Sequence, residues 1–167
     1  SLYLSGMMKG GFAPYGEEKA RIASKSTPLN GFVIKCDASN GEWLGGVSAD
    51  EQGIGGYFGV AKGKENNLYA YGYSWATPNK GICLTTIDES SWEKTEKIAL
   101  ITETGMGTAW SCLADGTNFY SFSRGNKAVN FYNSEFTLPA PTGWGMFISS
   151  WKLDDIATEP ASASLMV

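Results

Sequence analysis

The side chains suited to acid–base chemistry are carboxylates, 17 in all and scattered along the chain, with adjacent pairs at Glu17-Glu18, Asp50-Glu51, Asp88-Glu89 and Asp154-Asp155. A glycosidase needs two such groups facing each other across a cleft at a fixed separation of a few ångströms, and no spacing along the chain fixes a pair of that kind. Solvated turns and strand ends account for these residues. Histidine is absent from the 167 residues, which removes Ser-His-Asp and Cys-His catalysis within the chain and the commonest transition-metal ligand. Cys36, Cys83 and Cys112 have no C-x-x-C spacing and lie in apolar runs, so they read as small buried hydrophobes rather than a disulfide framework or a zinc site. The glycine pairs Gly10-Gly11, Gly45-Gly46 and Gly55-Gly56 lack the strand–helix setting of a nucleotide loop. "DGTN" at 115–118 resembles a calcium loop only superficially, because the D-x-D-x-D-G pattern and its distal Glu are missing; a hairpin turn is expected there. No cofactor or metal is expected, and a non-enzymatic role is the leading reading. A carboxylate-based hydrolase or lyase fragment is the alternative.

Binding chemistry is better represented. Phe12, Tyr15, Arg21, Trp75, Arg124, Tyr132 and Trp144 fall in the connections between repeat strands or at their margins, and loops on a rigid β scaffold are where binding residues concentrate. Aromatic rings with arginine beside them can stack on sugars, anchor a protein, or hold an aromatic anionic ligand. Anchoring of the loops within the same chain fits those residues equally well. Tyr57, Tyr69, Tyr71, Trp110 and Phe119 fall on strand-like segments instead, where packing between sheets is expected.

A net charge of -4 and a pI near 4.8 argue against nucleic acid or an anionic membrane as partner, since either requires a basic patch. No run of 18 apolar residues occurs, so no membrane-spanning helix is expected. The opening "SLYLSGMMKGG" lacks the features of a signal peptide, and a mature or excised chain is the expectation.

The elements that must position these residues are strands. Aromatic residues make up 13% of the chain and charged residues only 18%, with 21 glycines, a balance of turn-rich β proteins. Eleven short β-branched or aromatic segments are bounded by Gly, Asn, Asp or Pro: "LYLSGMM", "GFVIKCD", "EWLGGVS", "YFGVAKG", "NLYAYGYSW", "GICLTTID", "KIALIT", "AWSCLA", "NFYSFS", "AVNFY" and "MFISSWKLD". Only "EEKARIASK" at 17–25 offers even a short helical turn.

The segments repeat. Asp37 and Asp88, Gly56 and Gly107, Asn67 and Asn118, and Tyr69 and Tyr120 all stand 51 positions apart. "SLYLSG" matches "NLYAYG", and "WKLDD" matches "IKCDA". The interval is 34 positions from Tyr3 to Asp37 and again from Tyr120 to Asp154, but 19 from Tyr69 to Asp88. Two of the three units therefore carry the same enlarged connection, near 8–30 and 125–145. A period of this length predicts an all-β chain of antiparallel four-stranded blades of a β-propeller over 1–156, followed by a C-terminal tail at 157–167. Just under three blades are present, whereas propellers close with four to eight. Three readings follow: a piece of a longer chain, copies that jointly close a ring, or a compact β-sandwich.

"GFVIKCDASNGEWLGGVS" followed by "GGYFGVAKGKENNLYAYGYSW" resembles the bacterial SBBP-type β-propeller repeat, well over 31–75 and less closely over 81–124, where Cys83-Leu84-Thr85-Thr86-Ile87-Asp88 keeps the Asp but loses the Lys. The resemblance implies a secreted or cell-surface bacterial protein that binds a glycan, small ligand or protein. Its partners would include other copies or further chain to close the ring.

Overall fold

The computed structural model describes residues 1–10, 29–49, 54–74, 81–103, 108–115, 117–126, 128–131, 137–152 and 162–166. Within these, side chains are described except at 54, 96–103, 108–112, 137 and 162–166. Thirteen strands run in chain order among them: β1 Leu2–Met8, β2 Asn30–Cys36, β3 Trp43–Ser48, β4 Ile54–Lys62, β5 Asn67–Ser74, β6 Gly81–Asp88, β7 Lys94–Glu103, β8 Thr108–Ala114, β9 Asn118–Gly125, β10 Val129–Phe131, β11 Thr137–Leu138, β12 Gly145–Lys152 and β13 Ser162–Met166. All eleven expected segments are strands, and the fold is all-β. The two additional strands are β11, two residues long, and β13, inside the segment read as a tail. The helical candidate at 17–25 lies outside the described residues.

The strands form three antiparallel sheets, ordered β1-β2-β3, β11-β10-β7-β6-β5-β4 and β13-β12-β9-β8. The middle sheet is packed on both faces. Side chains alternate across a strand, so Leu68 and Ala70 of β5 meet Val33, Tyr57, Cys83 and Ile87 in a core against the first sheet. Tyr69 and Tyr71 point the other way, into a core with Phe119, Phe131, Phe147 and Trp151 against the third sheet. This two-sided burial explains why β5 is buried almost throughout, as a strand covered on both faces must be.

The hairpins β2–β3 and β6–β7 share their turn chemistry at positions 51 apart. Asp37 Oδ1 accepts from Ser39 N at 2.7 Å and Ser39 Oγ at 2.5 Å, and Asp88 Oδ1 accepts from Ser90 N and Ser90 Oγ at the same distances. These Asx turns set the reversal. The chain then passes through positive φ at Gly41 (74°) and at Trp92 (61°), a conformation that costs tryptophan more than glycine. Trp92 is nevertheless held there: it packs onto the first core, and a Cβ added at Gly45 would stand 2.1 Å from its Nε1. The register shifts after Lys35 and after Thr86 also stand 51 apart.

The single offset of 51 does not extend through the whole block. Leu100 has no Cα partner in the pairing of β6 with β7, so corresponding positions on β4 and β8 stand 52 apart, as the bulges skipping Phe58 and Trp110 show. A shorter turn, with Asp115 N bonding Asn118 O where Gly63 N bonds Asn67 O, restores 51 on β5 and β9. At the end of the chain, Phe119 pairs with Trp151, two residues short of the expected alignment. The second enlargement is thus two residues smaller than the first, where Leu2 pairs with Cys36. A shift of two leaves every side chain on its expected face.

Candidate functional site

Among the seven candidate loop residues, the structure describes two, and it brings them together. Arg124 lies within β9, one residue before its end and opposite Met146, rather than in the connection expected for it, and Trp144 immediately precedes β12; the two strands pair so that Gly145 lies opposite Gly125. The Arg124 guanidinium sits over the Trp144 ring, 4.6 Å from its centroid, a cation–π contact worth about 0.5–1 kcal/mol at an exposed site. Trp144 remains 51% exposed, so much of its ring is open to solvent. Beside the pair, Val129, Leu138, Pro139, Pro141 and Phe147 line a shallow crevice with Gly125 and Gly145. Phe12, Tyr15, Arg21, Trp75 and Tyr132 lie outside the described residues.

The described part of the 125–145 connection does more than project from the sheet. It contributes β10 and β11, which extend the middle sheet along β7, with Val129 opposite Glu103. Val129, Phe131 and Leu138 enter the second core. The connection therefore straps the third unit to its neighbour and in doing so fixes the base of the Arg124–Trp144 pair. The strand aromatics Tyr57, Tyr69, Tyr71 and Phe119 are all buried between sheets, and Tyr71 and Ser123 hydrogen-bond across the second core at 2.5 Å.

A second polar cluster is invisible in the sequence. Glu89, one residue past the Asx-turn aspartate, receives Lys35 and Tyr3 from the first sheet and Lys62 from β4; the Tyr3 hydroxyl donates at 2.5 Å. Its side chain is only 9% exposed. Burial alone would raise the Glu89 pKa, but the hydrogen bonds from Lys35, Lys62 and Tyr3 together outweigh it and hold the carboxyl at about 2. Burial, then the contact with Glu89, pushes the Tyr3 phenol up to about 12. The reading of Asp88-Glu89 as solvated turn charges fits Asp88, whereas Glu89 latches two sheets. The partners are 27 to 86 residues away, and no local pattern links them.

Because the folded pKa of Glu89 is depressed, its contribution to stability is present above the ordinary value of 4.5 and is lost as pH falls through about 2. Glu89→Gln is expected to cost about 1–2 kcal/mol at pH 7, allowing for solvent screening at Lys62. The gap from the unmodified protein should close toward pH 2. Urea melts of both proteins at the two pH values check this; a gap unchanged by acid contradicts the latch.

The remaining displaced carboxyls serve turns. Hydrogen bonds from the Ser39 side chain and backbone hold the Asp37 pKa below the ordinary range, and those from Ser90 do the same for Asp88. The backbone N–H groups of Asn118 and Thr117 hold Asp115 at about 2, so the Asp115 carboxylate is engaged by backbone between the antiparallel strands β8 and β9. No cluster of three or more metal-ligating side chains occurs among the described residues, and no helix of the described residues is long and apolar enough to cross a membrane. No protein-family model matches the chain, and no curated protein matches it.

Proposed function

We propose that the chain is a non-enzymatic interaction module of a secreted or cell-surface bacterial protein, built from β-propeller blades of the SBBP-type repeat, which works by docking its end sheets against further blades. The observation that carries this is the chemistry of the outermost faces. On the third sheet Leu113 is 60%, Met146 43% and Phe122 36% exposed; on the first, Leu2 is 51% and Leu4 43% exposed. Runs of large apolar residues on a solvent-facing sheet mark a binding surface. By the pairings, Phe122 occupies the place on β9 that Tyr71 holds on β5, and Leu4 the place on β1 that Ala70 holds there. Both counterparts are packed against a neighbouring sheet.

The arrangement of the sheets supports blades over a flat sandwich. Backbone approach between sheets concentrates on β4, which runs beside β1 and β2 on one side and β8 on the other. Away from that edge, large side chains such as Phe119, Phe131 and Trp151 fill the gap. Sheets that converge at one edge and splay at the other suit a ring around an axis, whereas sandwich sheets stay about 10 Å apart throughout. The carboxylate-hydrolase alternative calls for a carboxyl of raised pKa, and Asp37, Asp88, Glu89 and Asp115 are all shifted downward.

The exposed Trp144 ring beside half-buried Arg124 favours a second reading, contact with a glycan or an anionic aromatic ligand at that rim. One comparison separates the two. Leu113→Lys with Met146→Lys is expected to abolish assembly while leaving the far-UV circular dichroism unchanged, and Trp144→Ala, which keeps Arg124 opposite Met146, to leave assembly intact. If Trp144→Ala alone removes glycan-array binding and the face pair changes nothing, the rim reading replaces the docking one.

A further inference from the structure

We infer that the open edge of β1 is the seat of a fourth strand, supplied by polypeptide of the same protein outside residues 1–167 and joined to β1 by a short turn. This rests on the blade reading above and deepens it by naming what completes the first sheet. The second and third sheets each have a strand where the first has none. β4 lies beside β5 and β8 beside β9, whereas no described residue pairs with the corresponding edge of β1. An unpaired edge is a row of open N–H and C=O groups, and folded proteins blunt such edges with bulges, charge, proline or short length.

The other edges among the described strands are blunted in these ways. β4 carries bulges at Gly55 and Phe58 and ends in Lys62, and β8 carries one at Trp110. β3 is six residues long and its pairing shifts register after Lys35, while β11 and β13 are two and five residues long. β1 has none of these devices: "LYLSGMM" is seven residues without charge, proline or bulge. Leu2 and Leu4 are exposed on one of its faces and Met7 on the other, so apolar surface flanks the open ladder on both sides. β1 is built as an interior strand.

Pairing already present in the chain sets the pattern of the occupant. Leu2 pairs with Cys36 as Leu68 does with Ile87, so Leu2, Leu4, Gly6 and Met7 hold the places of Leu68, Ala70, Gly72 and Tyr73, all of them buried in the middle sheet. On β5 and β9 the residue beside the partner's bulge is small, Gly72 next to Phe58 and Ser123 next to Trp110, and Gly6 keeps that character on β1. The fourth strand therefore runs antiparallel to β1, with a bulged aromatic between the partners of Gly6 and Ser5 and a small residue after it, as in "YFGVAK" and "AWSCLA". Short connections at 63–66 and 115–117 lead from β4 to β5 and from β8 to β9, and a strand of the same kind reaches β1 through a turn ahead of Ser1.

The test is hydrogen exchange at β1, read together with mass, on the 167-residue chain and on one carrying a second copy of residues 54–66 ahead of Ser1. That graft places β4 and its turn before β1 as they stand before Asn67. It is expected to slow exchange of alternate β1 amides by roughly tenfold, and a graft of 54–62 in scrambled order to slow none. Free peptides of residues 54–62 and 108–114, added in excess to the 167-residue chain, are expected to slow the same amides. β1 amides that neither graft nor peptide slows overturn the inference. Slowing by peptide but not by graft assigns the edge to a separate polypeptide and overturns the turn-linked strand. β1 amides already protected in the unaltered chain at doubled mass overturn it as well, since a second copy then holds the edge. Leu113→Lys with Met146→Lys in the grafted chain separates this strand from blade docking. Lost assembly without β1 protection defeats the fourth strand alone, and β1 protection with assembly intact defeats docking alone.

Discussion

Gly72→Ala is expected to destabilise the chain by about 3 kcal/mol, because overpacking a filled interior forces backbone to move. A Cβ at this position would stand 2.1 Å from the Gly56 carbonyl oxygen and 3.1 Å from its carbon. The obstacle is backbone of the neighbouring strand, so no rotamer change relieves it. β5 is packed on both faces, so the strand cannot bow out of its sheet without opening one of the two cores. For a chain of this size the cost corresponds to a fall in Tm of roughly 6–12 °C. Gly143→Ala is the control: a Cβ there meets nothing within 4 Å, and its effect should stay within about 0.5 kcal/mol. Thermal melts of the two variants check the pair, and equal melting temperatures would contradict the two-sided packing of β5.

Trp151→Ala is expected to cost about 3–5 kcal/mol, the range for truncating a large buried aromatic. Trp151 is 1% exposed, with Phe119 at 6.3 Å and Phe131 at 6.5 Å between ring centroids. Phe119 belongs to the third sheet and Phe131 to β10 on the middle one, so the indole packs between the two sheets. Its Nε1 finds no acceptor among the described residues, and Trp151→Phe, which deletes that unsatisfied group along with part of the ring, should lose less than half as much. Urea titrations of the two variants measure the difference. Equal losses would place the energy in a polar contact rather than in ring packing.

What the sequence disclosed follows from how far apart the interacting residues lie. Strands were legible because alternation, β-branching and punctuating Gly, Asn and Asp act locally, and the Asp37 and Asp88 turns were legible because Asx geometry depends on the residue two places on. β13 was missed since "SASLM" is dominated by small residues with weak β preference, and β11 since two residues before Pro139 carry almost no pattern. The bulge in β7 and the compensating short turn after β8 were hidden because their effects cancel in the residue count by Asn118.

Of the candidate site, the adjacency of Arg124 and Trp144 was within reach: both flank the same connection, and pairing of β9 with β12 makes their ends meet. The Glu89 latch was not, because it exists only once β1, β2 and β4 have been stacked. The strapping role of β10 and β11 was equally hidden, since β10 pairs with β7, a strand of the preceding unit.

The proposed blade arrangement has three repeated sheets splayed from a common edge, with open faces for more of the same. Electron cryomicroscopy of the assembled protein tests it most directly. The expected image shows sheets arranged around one axis, with β4 and β8 innermost and the outer face of β8-β9-β12-β13 covered by another sheet. Flat sheets stacked at constant spacing, or outer faces still bare in the assembled particle, would contradict it.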